Sequence, residues 1–170
     1  MAKDTPQQIA NYFIKQANKE NVVLTKLKLM KLVYISYAWY LYYTNEDLFD
    51  EKIEAWQYGE VVPSLEKKYK YYKKERITQI DGIVPNTDED GDLADTVIGV
   101  WYLYKNQDVE DIINTLHEKD SPWFQVYKAD ENIQVNTEEM KPIIKQRAEI
   151  GITKANEKLA EEYGPFETNY

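Results

Sequence analysis

Residues 24–41 read LTKLKLMKLVYISYAWYL, a run in which apolar and aromatic side chains fill nearly every position. From Leu27 the spacing to Met30, Lys31, Tyr34, Ala38 and Leu41 follows one helical stripe, while Leu29, Val33, Tyr37 and Tyr40 cover the opposite side. A helix that is apolar all round must be covered all round. The segment therefore predicts a central helix about which the rest of the chain packs. Thr25 suits its N-cap, and Asn45, Glu46 and Asp47 end it. Lys28, Lys31 and the tyrosines within residues 27–43 read as a buried helix of a soluble protein and not as a membrane span.

Working outward, Asp4 or Thr5 caps an N-terminal helix with Pro6 at its first position and Ile9, Phe13 and Ala17 on its buried face. Residues 48–72, LFDEKIEAWQYGEVVPSLEKKYKYY, hold a segment extended up to Trp56, a tight turn at Gly59 and a helix opened by Pro63. Gly59 can take the positive φ such a turn needs, and Pro63 fits the first turn of a helix. Leu65, Tyr69 and Tyr72 form that helix's inward stripe, with Lys67, Lys70, Tyr71 and Lys74 outward. Residues 81–92, DGIVPNTDEDGD, form the main loop. Beyond it one helix buries Leu93, Val97, Val100, Trp101 and Tyr104, and another, capped by Asp108, buries Val109, Ile112, Ile113 and Leu116. A short helix follows Ser121, Pro122 and Trp123. Asn136 and Glu139 precede a helix that Pro142 starts late or kinks, and a last helix capped by Thr153 stops at Gly164 and Pro165. The expectation is a mainly α chain: a single compact helical domain over residues 1–170 with a central buried helix and minimal or no sheet.

Composition narrows the function. A chain of 170 residues with 43% hydrophobic side chains has enough core formers to fold as one domain. It has no cysteine, which excludes disulfides, thiolate zinc and thiol catalysis and fits a reducing compartment. One histidine excludes His-rich metal sites. The start, MAKDTPQQ, lacks the apolar run of a signal peptide, so the cytoplasm is the expected location. Residues 1–80 carry 13 basic and 10 acidic side chains, and residues 81–170 carry 8 and 20, giving halves of +3 and −12. That balance makes nucleic acid an unlikely partner and favours a basic protein surface or simple solubility.

Few constellations could carry chemistry. Asn86, Asp88, Asp90 and Gly91 occupy positions one, three, five and six of a calcium loop, but position twelve is Val97 where a bidentate glutamate is needed. His117 follows an apolar face and has no nucleophile or metal motif to serve; it is expected to hydrogen-bond the turn at residues 121–123. Lys31 either snorkels to the surface or is paired within a polar cluster, and snorkelling is the expectation. The run KKYKYYKKER, residues 67–76, alternates aromatics with cations as stacking platforms do, yet helical spacing turns two of its tyrosines inward and leaves a solvated basic ridge. No catalytic set, cofactor motif or metal site emerges, so no enzyme is expected.

Taken together, residues 24–41, LFDEKIEAWQYGEVVPSLEKKY from Leu48 and LHEKDSPW from Leu116 resemble the Panacea domain, the family of SocA-like antitoxins and phage-associated GepA-like proteins. The resemblance runs over about residues 5–150, and the Glu-Ala-Trp, Tyr-Gly, Val-Val-Pro succession is its most specific part. It implies a mainly helical antitoxin that neutralises a toxin encoded by an adjacent gene through direct protein binding. Delivery of the toxin to the ClpXP protease is the alternative mechanism, and a solitary phage-encoded host-interaction protein is a further one. The family pattern falls on Lys31, Tyr34, Trp39, Trp56, Tyr58, Gly59, Val62, Pro63, His117, Pro122 and Trp123. A domain that accepts varied toxins keeps its core and varies its contact surface, so these residues are expected to be scaffold more than interface. Glu60 departs from the pattern, which has a small residue or proline after Tyr-Gly.

Overall fold

Local signals set the first two helices. In the computed structural model, which describes residues 3–164, Thr5 caps α1 (Pro6–Glu20): its hydroxyl accepts from the Gln8 amide, and the Gln8 side chain accepts from the Thr5 amide at 2.9 Å. This reciprocal box satisfies amides that the first helical turn leaves unpaired. Asn21 ends the helix with φ 53°, in the left-handed region where asparagine is tolerated. Thr25 caps α2 (Lys26–Thr44), and Asn45 ends it the same way at φ 61°.

Thirteen of the nineteen residues of α2 are buried, which makes it the axis of the molecule. α4 (Asp92–Tyr104) and α7 (Lys141–Tyr163) flank it, and α1 packs across it. Trp39 sets how close they come. A Cβ on Gly99 of α4 would stand 2.9 Å from the Trp39 ring, and one on Gly151 of α7 would stand 3.1 Å from its Nε1. Two glycines on neighbouring helices therefore form the slot that holds the indole. Lys28, at the N-terminal end of α2, donates to the carbonyls of Lys105 and Gln107 at 2.7 and 2.9 Å, so a cation closes the end of α4.

Between α2 and α3 (Pro63–Tyr69) the chain makes a hairpin of β1 (Glu54–Trp56) and β2 (Gly59–Val61), with Trp56 opposite Gly59. Gly59 has φ 113°, as the turn requires. β3 (Ile133–Gln134) pairs with the other edge of β1, giving a three-stranded antiparallel sheet ordered β2-β1-β3. The sheet is small, and the fold is mainly α. A 3₁₀ turn over Lys70–Tyr72 extends α3, with Tyr69 buried, Tyr72 half-buried and Tyr71 exposed. The long loop then returns across α1, where buried Asn11 donates to the carbonyls of Asp81 and Ile83 at 2.8 and 2.9 Å. α4 starts at Asp92, so the last six positions of the candidate calcium loop are helical. Among the described residues no group of three or more acidic or histidine side chains is placed to hold a metal, and no helix is long and apolar enough to cross a membrane.

α5 (Val109–Leu116) follows Asp108, and α6 (Pro122–Val126) is capped by the Ser121 hydroxyl. One expectation fails here: Thr153 caps nothing. It lies exposed inside α7, which runs unbroken for 23 residues to Gly164; Pro165 falls outside the described residues. Gly151 is a packing notch for Trp39 inside this continuous helix. Pro142 does start α7 late, as its second residue, and the Asn136 side chain caps the Glu139 amide in the turn before it.

Candidate functional site

The hairpin and the turn before α6 bring the distant motif residues together over one side of α2. Lys31 is fully buried, and its Nζ donates to the Glu60 carbonyl at 3.0 Å. Snorkelling is therefore overturned: strand β2 and helix α5 roof this part of α2, leaving the amine no path to water. A Cβ on Gly59 would stand 3.1 Å from the same Nζ, so the glycine supplies both the turn's positive φ and the room for the ammonium.

Glu60 is also fully buried, and neither of its carboxylate oxygens has a hydrogen-bond partner in the protein. Lys31 bonds its backbone and not its carboxylate, so the two charges share an interior without making a salt bridge. Burial pushes the Glu60 carboxyl up to about 7, against the pull of Lys31, the backbone amides nearby and Arg147. Burial likewise brings the Lys31 ammonium down to about 8, against the attraction of Glu60. Arg147 of α7 donates to Glu118 at 3.0 Å and to the Thr115 carbonyl at 2.8 Å, tying the end of α5 to α7 beside this pair.

His117 packs by stacking. Its ring lies 3.5 Å from that of Trp123 at an interplanar angle of 12°, and Trp123 stacks in turn on Tyr127 at 4.6 Å and 14°. The expected hydrogen bond to the turn at residues 121–123 is absent; Nε2 is buried without a partner. Burial first, and the Lys31 charge second, hold the imidazole below its usual pKa. Trp123 donates its indole N–H to the Trp56 carbonyl at 2.6 Å, which locks the aromatic stack to the hairpin.

Of the motif residues, Lys31, Gly59, His117 and Trp123 surround Glu60, joined by the Trp56 backbone and by Tyr34. Tyr34, Trp39 and Pro122 face a small cavity on the α7 side of this cluster. Val62 is buried beneath the hairpin and Pro63 opens α3. Tyr58 alone points outward, 55% exposed. It borders a groove lined also by Leu27, Val109, Ile113, Lys73, Lys74 and His117. Glu60 and Arg147 are the members that sequence reading missed. For Glu60 the one sequence signal was its departure from the residue type expected after Tyr-Gly.

No curated protein and no solved structure matches the chain. The model of the family described as antitoxin SocA-like, Panacea domain, matches residues 29–164, a span that takes in most of α2, the hairpin, the buried pair and α7. With four-fifths of its residues covered, the chain belongs to the SocA-like antitoxin family defined by the Panacea domain.

Proposed function

We propose that this chain is an antitoxin that neutralises a protein toxin by direct binding in the cytoplasm, with the toxin encoded by an adjacent gene and no catalysis involved. Family membership carries the reading. The motif residues support it by their placement: Lys31, Gly59, Trp56 and Trp123 are spent on holding the hairpin against α2, while Tyr58 at its tip stays exposed beside the groove. A large amphipathic side chain on a rigid hairpin is a suitable contact anchor, because its rotamers cost little entropy to fix. The groove lining joins apolar side chains to lysines, and residues 81–164 carry an excess of acidic side chains, so a toxin can meet complementary charge.

The test is growth on co-expression with the product of the adjacent reading frame. Rescue by the wild-type chain, and its loss in Tyr58→Ala with unchanged folding, is the expected result. A stoichiometric complex on pulldown, in cells with or without ClpXP, supports blocking; a shortened toxin half-life only when the protease is present replaces blocking with the adaptor mechanism. A neighbour that is not toxic refutes the antitoxin reading and leaves a solitary host-interaction role.

A further inference from the structure

Three of the chain's four tryptophans place their indole N–H on a protein acceptor. Trp56 donates to Glu54 at 3.1 Å, Trp101 to Glu20, and Trp123 to the Trp56 carbonyl at 2.6 Å. Trp39, 2% exposed and the most buried of the four, has no acceptor among the described residues. Its Nε1 lies instead 3.1 Å from where a Cβ on Gly151 would sit, and the Tyr104 hydroxyl, also without a protein partner, lies 3.2 Å from the same point. The hydroxyl of buried Tyr34 is a third polar group with nothing opposite it. All three side chains line a cavity of about 50 Å³ between α2 and α7. None of the three polar atoms is sealed off as the Glu60 oxygens are, so the cavity is the space they reach. Interior donors left without acceptors are costly, and here they converge on one place.

The charge of the lining points the same way. Arg147, Gly151 and Lys154 fall at i, i+4 and i+7 on α7, so one helical stripe carries a cation on either side of the glycine notch, and both cations line the cavity. Arg147 bonds Glu118 and the Thr115 carbonyl with two of its five N–H groups, which leaves others to donate. Lys154 and Ile150 are exposed, so the space communicates with solvent past them. The lining hydroxyls of Thr115 and Ser121 are engaged, the first donating to the Asp111 carbonyl at 3.1 Å and the second accepting from the Phe124 amide at 3.2 Å. Glu60 backs the cavity with both oxygens sealed, and burial favours its neutral form, so it offers a ligand no acceptor and opposes an anion little. The lining therefore supplies donors and positive charge and lacks acceptors. An ammonium would add donors to donors, and an amide would bring one acceptor while turning its own N–H groups on the same donors. A carboxylate brings two acceptor oxygens and the compensating charge. The space suits about three or four non-hydrogen atoms, enough for a carboxylate with the carbon that carries it and small for a phosphate.

We infer that this cavity is a binding site for a carboxylate, free or carried on an acidic side chain of a partner, with the Trp39 indole N–H and the Tyr34 and Tyr104 hydroxyls as donors and Arg147 and Lys154 as the balancing charge. The inference rests on the cavity and holds whether or not the antitoxin reading does.

The test uses the full chain labelled with ¹⁵N and titrated with sodium acetate, with acetamide and methylammonium chloride at matched ionic strength as comparisons. The Trp39 indole N–H and the Gly151 amide are the reporters, and the Trp101 indole, bonded to Glu20, is the internal control. Acetate is expected to shift both reporters along a saturating curve with a Kd on the order of millimolar, fitting so small a ligand, while the two comparison solutes leave them in place. Lys154→Met changes an exposed position and Tyr104→Phe removes a single unpaired oxygen, so both variants keep the fold, checked by thermal melts. Each is expected to weaken acetate severalfold and the two together at least tenfold. Propionate and N-acetylglutamate methylamide carry the same carboxyl-bearing segment and separate the two sources: tighter binding of the first identifies a free acid, and of the second a partner's side chain. Absence of saturable shifts with acetate, which would leave the cavity a hydrated gap, equal shifts with acetamide, or unchanged affinity in the double variant overturns the inference.

Discussion

Replacing Lys31 by methionine tests the interior arrangement most directly. Methionine keeps the length and apolar stem of the lysine and removes only the ammonium that bonds the Glu60 carbonyl and faces the Glu60 carboxylate. Breaking a buried pair by removing one partner costs about 3–5 kcal/mol, because the other charge is left uncompensated. In a chain of this size each kcal/mol moves Tm by about 2–4 °C, so Lys31→Met is expected to lower Tm by roughly 6–20 °C near neutral pH. Lys31→Met/Glu60→Met removes both desolvation penalties and is expected to be close to neutral or stabilising, as apolar replacements of buried pairs often are. Urea denaturation of the four members of the cycle gives the coupling energy. The pH arm carries a sign. Glu60's carboxyl is raised on folding, so its contribution is fully present below the unfolded value of 4.5 and is lost as pH rises through about 7. Lys31's ammonium is lowered, so its contribution is present above 10.5 and is lost as pH falls through about 8. The wild type should thus gain stability relative to the double variant on acidification from pH 7 toward 5. A single variant as stable as the wild type, a double variant as poor as the sum of the singles, or no pH dependence relative to the double variant would refute the reasoning.

Gly59→Ala puts a methyl beside the Lys31 ammonium on a backbone at φ 113° and should destabilise by about 1–3 kcal/mol in thermal melts. Trp123→Phe keeps a ring against His117 but loses the indole bond to the Trp56 carbonyl, and urea midpoints should show a loss of about 1–3 kcal/mol from the unpaired acceptor. Thr153→Pro falls inside a continuous α7 and should cost about 3 kcal/mol or more by denaturant titration; tolerance of the proline would mean that a helix does begin there.

The helices and most of their ends are legible along the chain, because caps and turns are local chemistry. Thr5, Thr25, Asn45, Pro63, Ser121 and Gly59 each act through neighbours within a few residues, and the all-round apolar pattern of α2 required that it be covered on every side. The family is legible there too, since the motif residues stand in order along the chain. Tertiary structure decided the rest. Thr153 read as a cap because threonine is a local helix-start signal, and only the packing of a continuous α7 against α2 and α4 shows that the helix runs through it. Lys31 was expected at the surface because nothing near it in sequence shows that β2 and α5 close over it. His117 exchanges a hydrogen bond for a stacked Trp123, and Glu60 becomes a buried carboxylate whose charged neighbours, Lys31 and Arg147, come from other elements. Burial and pairing are properties of what packs on a residue from afar, so the elements were legible in the chain while the charged cluster and its cavity exist only in the fold.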